Sequence, residues 1–598
     1  MSKAVKWLIG IVIIAIAAVG AFFAFGNQGV KKDETKIGKF NVAYNNPDKA
    51  IKGGDIKVGQ ISDTPFQGSY LAPLQDDATT ADMFAPTGNN ALFSTDKNFK
   101  IIDGGAADIK LDKTAKTATI TLHDKLTWSD GKAVTAKDVE ATYEVIANND
   151  YGSDRWTASL TNIKGLSEFH AGKADKISGI TYPDGEDGKV VKIAFKELKP
   201  GMTNSGNGYF LETVTPWHQI KDIKPKDLAS SPANTTKPLT FGPWTVKKVV
   251  AGQSILFEPN KYWYGAKPKL DSIQSEILAP TKAAAAVKAH KYDWIQGASA
   301  DLYPQLKKVS GYALTGNQDL YISLQYFNLG HYDEEKSENV QDRDTPLQDK
   351  KVRQALAYAL NIDEVDASLN NGLKSRATTV IPTLFSNWHD NSDKGFPNDI
   401  KKANKLLDEA GWKLDKKTGY RSKDGKELTL TYLARSGQST SEAIAQNNIQ
   451  QWKKVGAKVT LYHGRLQDFN TWSKLVQSND QEWDITQGAW SLSSEPSEQD
   501  LFSKEAPFNF GHFTSDKLTA ALDAVDSQKS MDATYRKTAF DKYQTLMNDE
   551  AYVIPDSYAY KYSPVNKRVV GYSFQYGTFQ SNEWYAKLAV SSNTLATK

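Results

Sequence analysis

One uncharged apolar run, residues 7–25, divides the chain into two very unequal parts. As a helix it would span about 28 Å, which is close to the thickness of the hydrocarbon layer of a bilayer. Lys3 and Lys6 precede the run, and basic flanks stay cytoplasmic, so the residues that follow are predicted to lie outside the membrane. The alternative is a cleaved secretory signal, but the end of the run lacks small residues three apart. Residues 1–30 are therefore predicted to be an uncleaved membrane anchor.

The part of the chain after this run is too long for one hydrophobic core, because single cores stop growing near 250–300 residues. Two or three domains are expected. A hydrophobic content of 40% and a charged content of 24% are typical of a soluble globular protein. The net charge of +3 falls to +1 when Lys3 and Lys6 are subtracted, so nothing favours nucleic acid as a partner. The absence of cysteine excludes disulfides, thiolate metal sites and a lipid-modified cysteine.

Local patterns predict where folded structure begins and which elements it contains. Residues 31–52 show little apolar periodicity and are predicted to be a flexible stalk, with folded structure starting at Gly53. Thr135 and Asp138 have the spacing of a capping box at the start of a helix. Three amphipathic stripes predict helices, and the helix–glycine–strand succession after them predicts α/β layering. The stripes are Val352-Ala355-Leu356-Ala359-Leu360, Ala403-Leu406-Leu407-Ala410 before Gly411, and Ile444-Ala445-Ile449-Trp452-Val455 before Gly456.

No familiar catalytic motif is present. No two of the eight histidines lie three to five residues apart, and the chain has neither a Gly-x-Ser-x-Gly elbow nor a phosphate-binding loop. The acidic run at residues 184–188 lacks calcium-ligand spacing and is typical of a solvated turn. No cofactor is predicted. A hydrolase with dispersed catalytic residues remains an alternative, since triads and paired carboxylates need not be adjacent in sequence.

Several segments, in order, resemble the extracellular solute-binding proteins of peptide-importing ABC transporters (solute-binding family 5). The segments that carry this resemblance are Leu126-Thr127-Trp128-Ser129-Asp130-Gly131, Phe241-Gly242-Pro243-Trp244, Asn260-Lys261-Tyr262-Trp263, Val352-Arg353-Gln354-Ala355-Leu356, Ala403-Asn404-Lys405-Leu406-Leu407, Tyr535-Arg536-Lys537 and Ala551-Tyr552-Val553-Ile554-Pro555. Two more stretches are similar to the oligopeptide-binding proteins of Gram-positive bacteria in particular. These are residues 60–68 and 488–497.

The resemblance implies an α/β fold of the periplasmic-binding-protein-like type II class, with two lobes joined by two crossing strands and an extra inserted subdomain. It implies lobe I at 53–72, 229–308 and 505–598, the inserted subdomain at 73–228, and lobe II at 309–504. It also implies a monomer, not an enzyme, that encloses oligopeptides between its lobes and delivers them to a membrane permease driven by an ATPase. With the predicted anchor, the protein would work on the extracellular face of the cell membrane.

Departures from the family pattern concern the ends of the ligand. Many relatives place an Asp a few residues after the tryptophan that corresponds to Trp490, where it pairs with the peptide's amino group. Here the nearest carboxylate is Glu495, and Gln487 stands where relatives have an arginine. These departures therefore predict that no carboxylate holds the peptide's amino group at a fixed position, and that peptides of varied lengths are tolerated. A further departure is His290, at a helix end where relatives commonly have glycine, and it is predicted to be structural.

A receptor for many peptides must recognise the backbone that they share, so Ser, Asn and Gln side chains at strand ends are the expected contacts. Phe66 and Trp490 are added as candidates for lining apolar pockets. The predicted binding residues are Ser62, Asp63, Thr64, Phe66, Asn328, Arg435, Ser436, Gly437, Trp490, Ser491, Ser493, Ser494 and Glu495.

Other functions stay open at this point, because a fold does not determine its ligand. The same scaffold could bind another solute, such as an oligosaccharide or a metal chelate, or serve as a surface adhesin or pheromone sensor. An extracellular hydrolase is less favoured.

Overall fold

The structure is a computed structural model that describes residues 40–75, 77–577 and 582–598. Its strands, in chain order, are β1 (Ala43–Tyr44), β2 (Asp55–Ile61), β3 (Ser94–Thr95), β4 (Ile101–Ile102), β5 (Ala107–Asp112), β6 (Thr117–Leu122), β7 (Ile180–Thr181), β8 (Val190–Ala194), β9 (Trp244–Val250), β10 (Ser254–Pro259), β11 (Ser272–Leu278), β12 (Trp294–Gln296), β13 (Tyr312–Phe327), β14 (His331–Asp333), β15 (Glu338–Val340), β16 (Lys374–Arg376), β17 (Lys413–Leu414), β18 (Arg421–Lys423), β19 (Lys426–Glu427), β20 (Thr429–Leu433), β21 (Lys458–Leu461), β22 (Ile485–Ser491), β23 (Val553–Asn566), β24 (Val569–Val570), β25 (Tyr572–Ser573) and β26 (Ala589–Val590).

The α-helices span Ala78–Phe84, Ala136–Ala147, Leu166–His170, Trp217–Ile220, Pro225–Leu228, Pro232–Thr235, Pro280–Lys288, Tyr303–Leu306, Lys350–Ala359, Ile362–Ser368, Ile400–Glu409, Ser441–Lys454, Phe469–Gln477, Gln499–Phe502, Asp516–Asp526, Ala533–Glu550 and Asn582–Lys587. Short 3-10 turns cover Ala72–Leu74, Ala85–Asn90, Asn149–Tyr151, Ala158–Asn162, Pro200–Thr203, Pro346–Gln348, Tyr462–Gly464 and Gln528–Met531.

One mixed sheet runs through both halves of the molecule, in the order β21-β20-β22-β13-β23-β12-β2-β11-β10-β9. Its centre is the antiparallel pair β13 and β23, which are 16 and 14 residues long and pass from one half to the other. On one side β2 pairs in parallel with β11 and β12, and on the other β20 pairs in parallel with β21 and β22. This arrangement confirms the prediction of two α/β lobes joined by two crossing strands.

The inserted subdomain has its own sheet and core. Strands β5, β6, β8 and β7 form a four-stranded antiparallel sheet, and the helix Ala136–Ala147 packs on it through buried residues such as Val139 and Tyr143. The capping box between Thr135 and Asp138 is present, as the sequence predicts. Asp138 also accepts a hydrogen bond from the indole Nε1 of Trp128, at 3.0 Å, which ties the hairpin of the family motif to the helix.

The three predicted helical stripes lie in the core of the second lobe, where Leu356, Leu407 and Trp452 are buried together. The glycines that end two of these helices adopt positive φ, 88° at Gly411 and 83° at Gly456. His290 also has a positive φ, 49°, and its ring stacks on Tyr312 at 5.6 Å. These features confirm the predicted helix ends.

Two predicted boundaries differ from the structure. The helices Asp516–Asp526 and Ala533–Glu550 pack into the core of the second lobe, although the sequence prediction placed residues 505–598 in lobe I. Hydrophobic faces of both helices meet there, through Leu522 and Phe540 for example. The chain returns to the first lobe only along β23.

The second difference concerns the predicted flexible stalk, residues 31–52. Its described part, residues 40–52, is bound to the fold by backbone hydrogen bonds. Strand β1 pairs with β25, and the Ile51 amide donates to the Val590 carbonyl at 2.9 Å. Folded structure thus begins before Gly53, because the backbone of this segment finds hydrogen-bond partners near the C-terminus.

The predicted anchor at residues 1–30 lies outside the described residues. Among the helices of the described part, none has the length and apolarity needed to cross a membrane.

Candidate functional site

A cavity with a volume of about 300 Å³ and a largely polar lining lies in the second lobe beside β13, β20 and β22. We call it the polar cavity. It lies where β20 ends and the helix Ser441–Lys454 begins, a position where open α/β sheets place ligands. Its lining combines hydroxyl and amide side chains with a few aromatic and aliphatic ones. The lining residues are Tyr321, Ser323, Gln325, Ile362, Val365, Asn370, Lys374, Tyr432, Ala434, Arg435, Ser436, Gly437, Gln438, Ser441, Ile444, Ala445, Asn448, Phe469, Gln487, Gly488, Ala489 and Asp556.

Asp556 is held in the wall of the polar cavity by three side chains from different segments. Its Oδ2 accepts from Gln487 at 2.5 Å and from Gln325 at 3.1 Å, and its Oδ1 accepts from the Ser557 hydroxyl at 2.7 Å. The hydroxyl oxygen of Ser557 also lies 3.1 Å from Oδ1 of Asp366. Burial, reinforced by the nearby Asp556 charge, raises the pKa of Asp366 to about 8, so Asp366 is mostly neutral at pH 7.

Two cations line the same cavity, and in the described part of the chain neither has a carboxylate within ion-pair distance. Lys374 directs its Nζ toward the Ser323 hydroxyl at 3.4 Å. Arg435 lies over the rings of Phe469 and Trp472, with its guanidinium carbon 5.5 and 5.4 Å from their centres. Stacking of this kind holds an arginine in place while leaving its N–H groups free to donate. The cavity therefore offers hydrogen-bond donors, acceptors and available positive charge.

The structure brings one predicted group, Arg435, Ser436 and Gly437, to the rim of this cavity. Ser436 is fixed there by hydrogen bonds from its amide and hydroxyl to the Gln467 carbonyl, at 2.8 and 3.1 Å. Gly437 has a φ of 129° and open space where a side chain would begin.

A second predicted group lines a separate, smaller cavity of about 170 Å³, at the end of β22. We call it the acidic cavity. Its residues are Ile381, Pro382, Phe385, Trp490, Ser491, Leu492, Ser493, Glu495, Pro496, Ser497, Glu498, Asp500 and Leu501. Trp490 donates from its indole Nε1 to the Tyr326 hydroxyl at 2.6 Å and stacks on Phe510 at 5.3 Å. Ser494 is outside this lining and lies against Gly206 of the inserted subdomain.

Glu495 is engaged within the protein. It is 5% exposed, and its carboxylate accepts from the Arg536 guanidinium at 2.6 Å. Burial raises the pKa of Glu495, and the charge of Arg536 opposes that rise. A carboxylate already paired in this way is a poor partner for a ligand's amino group, because breaking a buried ion pair leaves an uncompensated charge.

The remaining predicted residues line neither cavity. Ser62, Asp63 and Thr64 form a turn in which the Ser62 hydroxyl donates to the Thr64 carbonyl at 2.8 Å. Phe66 is 3% exposed and packs edge-on against Phe84, 6.4 Å between ring centres. Asn328 is 1% exposed, and its amide donates to the carbonyls of Asp480 and Trp483. A polar residue at a strand end is therefore not always at a cavity: Ser62, Asp63 and Thr64 lie in a turn, and Asn328 lies in the core.

Sequence reasoning missed the side chains of the polar cavity that come from strand interiors and helix faces. Lys374, Asn448 and Asp556 are examples. Gln487 stands out in the sequence because relatives have an arginine there, but no neighbouring residue indicates that its side chain donates to Asp556. A useful signal would have been a polar residue between apolar neighbours within a strand, such as Gln325 between Leu324 and Tyr326, which is buried. In the described residues, no group of three or more His, Asp or Glu side chains is arranged to hold a metal ion.

The chain is similar to known proteins over most of its length. The family model described as bacterial extracellular solute-binding proteins, family 5 Middle, matches residues 100–510. The chain is 56% identical over 591 residues to the oligopeptide-binding protein OppA of Lactococcus lactis subsp. lactis, covering 98% of both chains. It is 26% identical over 565 residues to the oligopeptide-binding protein AppA of Bacillus subtilis, covering 91% of this chain and 92% of that one.

Two solved structures are similar in fold. Lactococcal OppA, complexed with an endogenous peptide in the closed conformation, matches with a TM-score of 0.77 at 56% identity, over 90% of this chain and all of that one. Bacillus subtilis AppA in complex with a nonapeptide matches with a TM-score of 0.64 at 22% identity, over 91% of this chain and all of that one.

Proposed function

The chain belongs to the bacterial extracellular solute-binding proteins of family 5, and from this premise we propose that it is the substrate-binding component of an oligopeptide ABC importer. It captures oligopeptides outside the cell and delivers them to permease subunits in the membrane, without chemical change. The observation that carries this proposal is the 56% identity to an oligopeptide-binding protein over 98% of both chains.

The polar cavity supports a peptide ligand. A peptide unit brings one N–H donor and one C=O acceptor, and each loses water when it is enclosed. Ser323, Asn370 and Asn448 can replace both interactions without selecting a side chain, because hydroxyl and amide groups donate and accept. We therefore place backbone recognition at this cavity, with Arg435, Ser436 and Gly437 at its rim and with Ser491 and Ser493 nearby.

The lack of a free carboxylate at Glu495 supports a binding mode without a fixed amine clamp. Glu495 is paired with Arg536, so the amino terminus of the peptide need not sit at one position. We infer that peptides of several lengths bind. We also propose that the protein acts as a monomer and that residues 1–30 anchor it to the outer face of the cell membrane.

Thermal-shift measurements on the purified protein test the ligand class. A mixture of peptides of four to ten residues should raise the unfolding midpoint, whereas oligosaccharides and a nickel–histidine chelate should not. The matched control is the same peptide mixture after complete hydrolysis to amino acids. A rise with sugars or chelate alone would overturn the proposal.

Mass spectrometry of the peptides after incubation distinguishes a receptor from a hydrolase. We expect every peptide to be recovered intact. Cleavage products that increase with protein concentration and time would show an enzymatic activity instead.

A further inference from the structure

The acidic cavity combines an apolar wall with several carboxylates. One part of its lining is apolar, with Ile381, Phe385, Leu492 and Leu501 among its residues. Its volume of about 170 Å³ is below the range of sites that enclose whole ligands. It has room for a single side chain whose stem is apolar.

The same cavity contains carboxylates that are not all satisfied. Glu498 is 95% buried, with 5% of its surface exposed, and only its Oε2 accepts a hydrogen bond, from Tyr543 at 2.6 Å. Its Oε1 accepts none from the described residues. Asp500 is exposed and forms neither an ion pair nor a side-chain hydrogen bond in the described part of the chain. Glu495, in contrast, is neutralised by Arg536.

We propose that the acidic cavity is a subsite for a cationic side chain of the bound peptide, lysine or arginine, an inference that rests on the proposed peptide-binding function. The apolar stem of such a side chain packs on Phe385 and Leu492. Its charged head reaches Glu498 and Asp500. Both side chains combine an apolar stem with a charged tip, which is the pattern of this cavity.

Other side chains fit the cavity less well. An aliphatic side chain would bury the free Oε1 of Glu498 without a hydrogen-bond partner, which is costly. An acidic side chain would meet the like charge of Asp500. A charge-assisted hydrogen bond from a cation is the stronger alternative, and it satisfies the vacant oxygen. Burial raises the pKa of Glu498 to about 8, and a bound cation would lower that pKa.

The position of the cavity is consistent with a ligand enclosed between the lobes. Phe385, in its wall, contacts Phe99 of the inserted subdomain with 5.9 Å between ring centres. The adjoining loop meets the subdomain at Gly206, where an added Cβ would lie 2.9 Å from the Ser494 amide nitrogen. The cavity thus lies at the junction between the second lobe and the subdomain.

Isothermal titration with the purified protein tests the subsite. The probes are N-acetylated hexapeptides that are identical except at one position, which carries lysine, arginine, norleucine or Nε-acetyllysine. Acetylation leaves the side chain as the single source of positive charge. We expect the lysine and arginine peptides to bind at least tenfold more tightly than the norleucine and acetyllysine peptides.

Two variants and a control connect this preference to the cavity. Asp500→Asn and Glu498→Gln should each reduce the ratio of lysine-peptide to norleucine-peptide affinity from tenfold to threefold or less. Asp500 is exposed, so its substitution tests the subsite even where Glu498→Gln disturbs packing. Asp523→Asn removes an exposed carboxylate of the same lobe that does not line the cavity, and should keep the full preference.

Three results would overturn the subsite. One is equal affinity of the lysine and norleucine peptides for the unaltered protein, and another is a preference that survives both variants. The third is a norleucine peptide with a free N-terminus that binds tenfold more tightly than its acetylated form and loses this gain in affinity in Asp500→Asn. The cavity would then bind the backbone amine. If no peptide bound at all, the proposed function itself would fail, and the subsite with it.

Discussion

The two cavities beside β22 differ in which charges are left available. In the polar cavity Asp556 is fully engaged by Gln325, Gln487 and Ser557, while Lys374 and Arg435 lack ion-pair partners in the described structure. In the acidic cavity the arrangement is reversed, because Arg536 is buried in ion pairs and Asp500 is free. The same strand therefore borders two cavities of opposite character. What decides the character is which charged side chains already have partners within the protein.

The largest test of this contrast removes the neutralising cation. Arg536→Met should lower the free energy of unfolding by about 3–5 kcal/mol, because Glu495 and Asp526 are left buried without their partner. Chemical denaturation measures this loss. The matched control is Arg376→Met, which removes a more exposed pair with Asp363 and should cost less than about 1 kcal/mol. Equal losses in both variants would contradict the structural role of Arg536.

A second test measures how stability depends on pH for two buried acids, Asp366 behind the polar cavity and Glu498 in the wall of the acidic cavity. The pKa of Asp366 is raised to about 8, above its unfolded value near 4. Between about pH 4 and pH 8 the Asp366 carboxyl therefore keeps its proton in the folded state and loses it in the unfolded state. Its contribution to stability is complete below about pH 4 and is lost as pH rises toward 8. Asp366→Asn should therefore flatten the pH dependence of the unfolding free energy by up to about 1.4 kcal/mol per pH unit.

Glu498→Gln should flatten the same profile in the same direction, because the pKa of Glu498 is also raised to about 8 by burial. An unaltered slope in both Asp366→Asn and Glu498→Gln would show that neither acid keeps its proton in the folded protein.

A third test addresses the free cation of the polar cavity. Arg435→Ala should weaken binding of a free oligopeptide about ten- to hundredfold, since a hydrogen bond to a charged group contributes roughly 1.5–3 kcal/mol. Stability should change little, because Arg435 has no ion pair to lose in the described structure. Isothermal titration measures the affinity, with the exposed Arg465→Ala as the control. Unchanged binding in Arg435→Ala would remove this residue from the site.

The smallest expected effect concerns closure next to the acidic cavity. Gln528, in the second lobe, donates to the Leu198 carbonyl of the inserted subdomain at 2.5 Å. Gln528→Ala should speed peptide release about two- to tenfold, because one such hydrogen bond contributes roughly 0.5–1.5 kcal/mol. Stopped-flow release of a fluorescent peptide measures the rate. Gln477→Ala, which removes a hydrogen bond within one helix, should leave it unchanged.

How far the sequence predicted the site depended on the kind of residue. Arg435, Ser436 and Gly437 are predicted because they directly follow a recognisable strand, and they line the polar cavity. Asn328 has the same kind of position, but its amide is used by carbonyls about 150 residues later, at Asp480 and Trp483. Nothing near Asn328 in the sequence indicates those partners. Position at a strand end therefore selects candidates, and distant segments decide which of them stay free.

The sequence by itself determined the α/β class, the helix stripes, the capping box at Thr135 and the positive φ of Gly411 and His290. These features depend on neighbours within a few residues, through periodicity, turn chemistry and steric limits. The tertiary structure alone decided that Glu495 is paired with Arg536, 41 residues away, and that Gln325 holds Asp556, 231 residues away. It also decided that residues 516–550 join the second lobe. Charge pairing and burial act through space, so they follow from how the chain folds back on itself.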